Sequence, residues 1–414
     1  MTKEKSTVPR LRFPGFTDAW KQRKLGEVAE KISQKNLDRQ YVETFTNSAE
    51  FGIISQRDFF EKNISSLDNI SGYYIVSPDD FVYNPRISNL APVGPIKRNK
   101  LGRVGVMSPL YTIFRFSDIH LDFVEKYFDT TIWHRYMELN GDSGARSDRF
   151  AIKDSVFKGL PIPLPTLPEQ EVIGSFFSDL DQLITLHQRK LDDVKELKKA
   201  LLQKMFPKGN GNDFPELRFP EFTDAWKQRK LGEVSKRVTR RNKELISSLP
   251  LTISAQHGLV DQEEFFNKQV ASKDVSSYYL IKKGEFAYNK SYSNGYPWGA
   301  IKRLDRYEMG VLSTLYIVFK PTSLICSDYL VSYYDTVNWY KEVSMIAAEG
   351  ARNHGLLNIA PNDFFKTRLF IPTLPEQEAI GSFFSDLDQL ITLHQHQLDH
   401  LKLLKKALLQ QMFI

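Results

Sequence analysis

The chain has 414 residues, enough for two or more domains that each bury a hydrophobic core. Hydrophobic residues make up 41% and aromatic residues 13%, which excludes a disordered chain, and no apolar run is long enough to predict a transmembrane helix. The net charge of +6 is compatible with nucleic-acid binding without requiring it. The single cysteine, Cys326, excludes an internal disulfide and a multi-cysteine metal site, and fits a reducing cytoplasm. The first ten residues lack the apolar segment of a secretory signal.

An 18-residue block follows this N-terminal tail and occurs twice. Leu11–Val28 reads LRFPGFTDAWKQRKLGEV, and Leu217–Val234 differs from it only by glutamate in place of Gly15. Internal repeats determine the architecture of a chain, so this block defines the start of two related halves.

Each block is followed by a variable segment, residues 29–163 in the first half and 235–370 in the second. The segments differ greatly, but they keep landmarks such as SGYYIVSPDDFVYN at 71–84 and SSYYLIKKGEFAYN at 276–289. Runs such as YYIV, VGVMSPLYTIF and GVLSTLYIVF predict buried strands, and Leu121–Leu139 has the apolar spacing of a helix. Each variable segment is therefore predicted to be a mixed α+β domain.

A long segment then closes each half. Pro165–Phe206 and Pro372–Phe413 are identical at 35 of 42 positions. Thr166 and Glu169 have the spacing of a capping box, and Pro207 ends the pattern, which predicts one helix of about 37 residues. Two unrelated bundle helices are the alternative, but they would have little physical reason to stay so alike.

Apolar residues recur in this segment at spacings of three and four, which is typical of a coiled-coil seam. The simplest partner of each helix is its own copy. The predicted seam residues are Ile173, Phe177, Leu180, Ile184, Leu191, Val194 and Leu201 in the first helix, and Ile380, Phe384, Leu387, Ile391, Leu398, Leu401 and Leu408 in the second.

The predicted fold class is α+β, with two similar mixed α/β domains separated by two long antiparallel coiled-coil helices. The predicted boundaries are 1–163 for the first domain, 164–208 for the first helix, 209–370 for the second domain and 371–414 for the second helix. If a pseudo-two-fold axis relates the halves, the end of the second helix lies close to Leu11, and the fold is circular although the chain is open.

These features resemble the specificity subunit of type I restriction–modification enzymes over essentially the whole chain. The resemblance rests on the duplicated P-x-LPEQ-x-x-I helix start, the YY…F.YN landmarks and the Gly-Ala-Arg sequences at 144–146 and 350–352. It implies two target-recognition domains, each reading one half of a split DNA sequence, and a helix pair that sets the unread gap.

The resemblance also implies the partners and the division of chemistry. Two modification subunits would dock on the helices and methylate adenine with S-adenosylmethionine, and restriction subunits would use ATP and Mg²⁺ to translocate and cleave DNA. The chain itself would be a non-catalytic cytoplasmic targeting subunit without cofactor or metal. No G-x-x-x-x-G-K-[ST] motif is present, which agrees with ATP chemistry in a partner.

Candidate DNA contacts are the polar and basic residues of the variable loops, because base edges are read by donors and acceptors and phosphates are held by lysine and arginine. The candidates in the first domain are Ser55, Gln56, Arg57, Arg86, Ser88, Asn89, Lys97, Arg98, Lys100, Arg103, Arg146, Ser147 and Arg149. Those in the second domain are Ser254, Gln256, His257, Lys290, Tyr292, Asn294, Lys302, Arg303, Arg306, Arg352, Asn353 and His354. Any one of them is about as well explained by a solvated surface charge.

Candidates of matching type in the two halves, such as Lys97 and Lys302, suit phosphate contacts. Candidates that differ, such as Arg86 and Lys290, suit base reading. A second hypothesis, from a different class, is a tandem-repeat scaffold that binds proteins. DNA targeting predicts that the basic loops of each domain converge on one face, whereas the scaffold predicts that they scatter.

Overall fold

The computed structural model describes residues 7–60, 70–142, 148–208, 214–254, 256–268, 270–272, 274–293, 295–347 and 356–414. The chain divides into two compact units. The first unit comprises Met1–Gln188 and His396–Ile414, and the second comprises Arg189–Gln395.

The N-terminal segment of the first unit begins with a short strand and ends in a long helix. Its strands are β1 Lys21–Lys24, β2 Ala29–Ile32, β3 Phe45–Ser48, β4 Gly52–Ser55, β5 Tyr74–Val76, β6 Phe81–Tyr83, β7 Ile96–Arg98, β8 Gly105–Met107, β9 Thr112–Phe116 and β10 Pro161–Leu164. Its helices are α1 Leu25–Val28, α2 Gln56–Phe60, α3 Leu121–Phe128, α4 His134–Asn140, α5 Asp154–Phe157 and the first half of α6 Leu167–Lys204.

The second unit repeats this order. Its strands are β11 Lys227–Lys230, β12 Ser235–Val238, β13 Leu251–Ser254, β14 Gly258–Asp261, β15 Tyr279–Lys282, β16 Phe286–Asn289, β17 Ala300–Arg303, β18 Met309–Leu312, β19 Ile317–Pro321 and β20 Arg368–Ile371. Its helices are α7 Leu231–Val234, α8 Gln262–Phe266, α9 Ser327–Tyr334, α10 Asn338–Ile346, α11 Pro361–Phe364 and the first half of α12 Leu374–Met412.

Both units have the same antiparallel sheet topology. In the first, a four-stranded sheet has the order β2-β9-β6-β7, and the pairs β1-β10, β3-β4 and β5-β8 accompany it. In the second, the four-stranded sheet has the order β12-β19-β16-β17 with three matching pairs. The predicted mixed α+β class is confirmed, and the similarity of the variable segments extends to strand order.

The helix predicted over Leu121–Leu139 is wrong in one respect, because the structure divides it into α3 and α4. Between them the Thr130 hydroxyl donates to the Tyr127 carbonyl at 2.7 Å, and the Trp133 indole donates to the Phe128 carbonyl at 3.2 Å. These side chains bind carbonyls that backbone amides would bind in a continuous helix. The helix is therefore interrupted, although the apolar spacing continues through the break.

In the first unit, the first half of α6 packs against the second half of α12. In the second unit, the first half of α12 packs against the second half of α6. In the first unit, the Phe177 and Phe413 rings lie 6.2 Å apart, and Lys405 pairs with Asp181 at 2.6 Å. The Leu11 amide donates to the Gln411 carbonyl at 3.0 Å. The contacts move towards the C-terminus of one helix segment as they move towards the N-terminus of the other, so the two segments pack antiparallel. The predicted closure beside Leu11 is confirmed.

The second unit repeats these contacts with equivalent residues. The Phe206 and Phe384 rings lie 6.1 Å apart, and Lys198 pairs with Asp388 at 2.7 Å. The Leu217 amide donates to the Lys204 carbonyl at 2.9 Å. The seam residues are buried or half-buried in their units, and the most deeply buried are Ile173, Phe177, Leu191, Ile380, Phe384 and Leu398.

The repeated 18-residue block anchors the start of each long helix. The Arg12 guanidinium donates to both carboxylate oxygens of Glu169 at 2.6 and 2.7 Å, and the Trp20 indole donates to the same group at 3.4 Å. Arg218, Trp226 and Glu376 repeat this arrangement. The predicted capping box gave Glu169 a local role, whereas its side chain binds a distant part of the chain.

A glycine near the start of each long helix permits close packing. A Cβ at Gly174 would lie 2.6 Å from His120 Nδ1 and 2.8 Å from the Phe123 backbone nitrogen. A Cβ at Gly381 would lie 2.7 Å from the Tyr329 nitrogen. The long helices therefore pack directly on the backbone of α3 and α9.

A buried charge cluster joins the four-stranded sheet of the first unit to both helix segments. Asp129 contacts Lys97 at 2.8 Å, Lys126 at 3.4 Å and Lys405 at 3.8 Å. Burial alone would raise the pKa of Asp129, but the three lysines outweigh it and lower the pKa to about 2.

The pKa of Asp129 predicts how stability depends on pH. Because the pKa lies below its ordinary value of 3.8, the contribution is complete above pH 4 and is lost as the pH falls towards 2. We expect Asp129→Asn to lower the free energy of unfolding at pH 7 by about 2 kcal/mol. Thermal melts from pH 7 to 3 check this, with Asp179→Asn on the exposed face of α6 as the control. Equal losses for both variants would contradict the prediction.

Candidate nucleic-acid interface

A cleft of about 620 Å³ opens in the first unit at the ends of several strands. It is lined by residues 46–50 around the β3-β4 turn, by residues 84–88 after β6, and by Gln56, Tyr111 and Arg149. The predicted candidates Gln56, Arg86, Ser88 and Arg149 therefore share one cleft, although they are up to 93 residues apart in sequence.

The loop after β6 is held in place by its own asparagine. Asn84 accepts a hydrogen bond from the Arg86 amide at 3.0 Å and donates to the Asn47 carbonyl at 2.8 Å. Gly94 approaches from the other side with a φ of +82°, and a Cβ there would lie 2.1 Å from the Asn84 carbonyl oxygen. This fixed backbone directs the Arg86 side chain outward, where it is 66% exposed.

The same loop is joined to the segment that follows residues 143–147. The Ile87 amide donates to the Asp148 carbonyl at 3.0 Å, and the Phe150 amide donates to the Pro85 carbonyl at 2.7 Å. Arg86 and Asp148 approach only to 3.9 Å, which is a weak exposed contact. Arg86 therefore keeps most of its charge available to a polyanion.

The second unit builds this loop in the same way but with different side chains. Asn289 accepts from the Ser291 amide at 3.0 Å, and the Leu357 amide donates to the Lys290 carbonyl at 2.9 Å. Lys290 is half-buried, and burial lowers its pKa. By these bonds Ser291 is the counterpart of Arg86, and Lys290 is the counterpart of Pro85. The pairing of Arg86 with Lys290 drawn from the sequence is therefore wrong by one residue, and a serine stands where the first unit exposes an arginine.

The Ile-Lys-Arg residues do not belong to this surface. Lys97 pairs with Asp129, and Arg98 pairs with Asp122 of α3 at 2.6 Å. Lys302 and Arg303 make the equivalent pairs with Asp335 and Asp328, each at 2.7 Å. Cations that are neutralised within their own unit are poor phosphate ligands, so the structure argues for a structural role instead.

Several other candidates have internal partners or separate positions. Ser55 and Ser254 are buried, Lys100 pairs with Glu125, Arg103 pairs with Glu43, and Arg306 lies over the Tyr307 ring. Arg57, Asn89, Gln256, His257 and Tyr292 are exposed. The remaining candidates, Arg146, Ser147, Asn294, Arg352, Asn353 and His354, lie outside the described residues, and their DNA contacts stay predictions.

The equivalence drawn from the sequence between the first groups of candidates is wrong. Ser55, Gln56 and Arg57 end β4 and begin α2, whereas Ser254, Gln256 and His257 end β13 and lead into the turn before β14. The true counterpart of Gln56 is Gln262, the first residue of α8. The error arose because the β3-β4 and β13-β14 hairpins have similar length and composition. The sequence alone therefore does not show which strand of the hairpin a polar residue follows.

Sequence reasoning also missed Asn47, which is 2% exposed on β3. Its amide nitrogen donates to the Val82 and Pro95 carbonyls at 2.7 and 3.3 Å, which fixes the orientation of the side chain. Its Oδ1 has no hydrogen-bond partner in the part of the chain that the structure describes. Isoleucine, Ile253, replaces it in the second unit, so the two units differ beneath this surface as well as on it.

None of the helices in the described ranges combines the length and apolar composition that a membrane crossing requires. Among those same residues, no group of three or more histidine, cysteine, aspartate or glutamate side chains is placed to hold a metal ion.

Comparison with known proteins agrees with this architecture. Residues 17–196 match the family model described as the type I restriction modification DNA specificity domain. The type I restriction enzyme MjaVIII specificity subunit of Methanocaldococcus jannaschii is 32% identical over 85 residues, and the match spans about a fifth of each chain.

Two solved structures are similar along the chain. The S subunit of a type I restriction-modification system from M. genitalium has a TM-score of 0.59 and 13% identity, and the match covers 98% of this chain and 99% of that one. The HsdS subunit from Thermoanaerobacter tengcongensis has a TM-score of 0.46 and 15% identity, over 100% of this chain and 99% of that one. The M. genitalium match shows a shared fold.

The family match and the shared fold agree for the first half of the chain. Residues 17–196, less than half of the chain, are similar to the type I restriction modification DNA specificity domain. The second half repeats its helix and strand order, and the whole chain has a fold similar to that of the M. genitalium S subunit.

Proposed function

We propose that this chain is the DNA specificity subunit of a type I restriction–modification complex, in which each unit reads one half of a split target. The observation that carries the proposal is the duplicated frame of 18-residue blocks and long helices, which holds two domains with the same strand order but different loop side chains. Arg86 and Ser291 occupy equivalent loop positions, and so do Asn47 and Ile253. Two related readers that differ at their surfaces suit two different half-sites.

Catalysis in this proposal belongs to other subunits of a cytoplasmic complex. Two methyltransferase subunits supply S-adenosylmethionine chemistry, and restriction subunits supply the ATP- and Mg²⁺-dependent steps. The long helices provide equivalent docking surfaces for the two methyltransferase subunits, because each unit presents the same helix positions.

Sequencing that detects modified bases in single DNA molecules tests the proposal. Cells that carry this chain and its methyltransferase subunit are compared with cells in which the chain is deleted. A split motif with N6-methyladenine in each half is expected only when the chain is present. Absence of such a motif, with the same methyltransferase shown to be active beside another specificity chain, would contradict the proposal.

Exposed leucines mark the helix surface that we assign to the methyltransferase subunits. The first unit exposes Leu183, Leu186 and Leu404, and the second exposes the repeat equivalents Leu390, Leu393 and Leu197, each between 38 and 52%. Phe176 and Phe383, which flank the seam, are covered in part by Phe13 and Phe219 at 5.6 and 5.9 Å. Leucines exposed at the same repeat positions in both units suit two copies of one partner.

Charging this surface tests the assignment. We expect Leu186→Asp with Leu393→Asp to reduce co-purification of the methyltransferase subunit at least tenfold, because a buried unpaired carboxylate destabilises an interface. Thr185→Asp with Thr392→Asp adds the same charge at exposed positions on another face of each helix and should leave assembly unchanged. Assembly of the leucine variant at the wild-type level would place the docking surface elsewhere.

A further inference from the structure

Two equivalent glutamines occupy the same place in the two units. Gln56 is the first residue of α2, directly after β4, and Gln262 is the first residue of α8, directly after β14. Their backbone amides donate to equivalent carbonyls, Gln56 to Thr44 at 2.8 Å and Gln262 to Pro250 at 2.9 Å. The strand-to-helix turn therefore fixes where each side chain begins.

The side-chain amides of these glutamines share an unusual property. The Oε1 atoms of Gln56 and Gln262 are both buried, and neither has a hydrogen-bond partner among the described residues. An unsatisfied buried amide is destabilising, and an apolar residue of the same length would avoid the loss. The same defect in two units whose variable segments have otherwise diverged indicates a role that stability does not explain.

The surroundings of Gln56 point to a ligand at the cleft. Gln56 lines the cleft together with Arg86 and Arg149. The Thr46 and Tyr111 hydroxyls, which line it too, lie 3.1 Å apart. In the second unit the Thr252 and Tyr316 hydroxyls lie 3.3 Å apart, so this hydroxyl pair is repeated as well.

We propose that Gln56 and Gln262 each read the major-groove edge of an adenine, one in each half of the DNA target. The inference rests on the proposed function and adds a residue and a base to it. Once the side chain turns from its buried position towards the cleft, its carbonyl accepts from the adenine N6 amino group while its amide nitrogen donates to N7, a pairing that no other base edge offers. Because the glutamine is kept while Arg86 and Asn47 are replaced, the base that it reads is common to both half-sites.

Selection from a random library of duplex DNA tests this inference. The full chain, alone and assembled with its methyltransferase subunit, is the binding protein, and the bound sequences are read by deep sequencing. Gln56→Met removes both hydrogen-bonding groups at nearly constant length. It should lower the preference for adenine at one position of the first half-site by roughly tenfold to hundredfold. Gln262→Met should do the same in the second half-site only.

Gln56→Glu provides a change of preference as well as a loss. Glutamate keeps the acceptor and removes the donor, and a carboxylate suits the N4 amino group of cytosine. We expect cytosine to replace adenine at the same position. The wild-type selection tests the proposed function separately from the glutamine assignment. A wild type that enriches no split motif would overturn the proposed function itself.

If the wild type enriches a split motif, three results would overturn the glutamine assignment alone. The first is an unchanged motif in the methionine variants. The second is a uniform loss across all positions, which would indicate a structural role. The third is a change in the half-site that the other unit reads. Thermal melts of the variants identify any general loss of folding.

Discussion

Residues 1–208, expressed alone, are expected to form a homodimer. In the full chain, Leu409, Met412 and Phe413 pack into the core of the first unit, and the isolated half lacks them. Its own Leu202, Met205 and Phe206 are the repeat equivalents, and they would be left without the second unit. Two copies can therefore exchange helix ends, each filling the core of the other, with Lys198 of one copy facing Asp181 of its partner.

Light scattering and analytical ultracentrifugation measure this association. Burying a large apolar side chain contributes about 1.5–3 kcal/mol, and three such side chains at each of two ends predict a dimer that persists at micromolar concentration. Phe206→Asp is expected to give a monomer, and Leu139→Asp, at an exposed position on α4, should leave the dimer intact. A wild-type half-chain that stays monomeric would contradict the exchange.

Arg12→Met is expected to destabilise the first unit by about 3–5 kcal/mol, the range for removing one partner of a buried ion pair. The Glu169 side chain is fully buried, and Arg12 makes a bidentate contact with it. Without the arginine, the carboxylate keeps only the long Trp20 contact at 3.4 Å, and the start of α6 loses its attachment.

Chemical denaturation of the full chain measures the loss, and Arg23→Met supplies the control. Arg23 and Glu27 also form an ion pair, at 2.8 Å, but both side chains are about half exposed. Exposed pairs contribute at most about 1 kcal/mol, so this variant should be close to wild type. Similar losses in the two variants would mean that burial of Glu169 does not determine its contribution.

The repeat made most of the fold predictable from the sequence. Near-identity of the long segments predicts both helices, their pairing and the closure beside Leu11, because each follows from periodicity and self-similarity. The break between α3 and α4 was not predictable by spacing, since it depends on the Thr130 hydroxyl and the Trp133 indole capturing nearby carbonyls. Local polar competition of this kind leaves the apolar pattern intact.

Residue type identified candidates for the site, but only the folded structure shows which of them come together in the cleft. Arg86 and Arg149 were identified by residue type, and a backbone ladder between their segments places them in one cleft. Lys97 and Arg98 have the same residue types, but carboxylates of α3 and of the residue after it neutralise them. Composition cannot separate these cases, because the neutralising carboxylates lie more than 20 residues away in sequence.

The shared frame has a consequence for how such a gene can change. Residues 29–163 and 235–370 are each bounded by nearly identical blocks, and the frame side of their contacts is the same in both units. Lys126 faces Asp181 in the first unit, while the second unit has Ser332 and Asp388 at the corresponding places. Under the proposed function, genetic recombination within the identical blocks would therefore place a whole reading domain on the same frame residues, so that a new combination of half-targets arises in a single crossover.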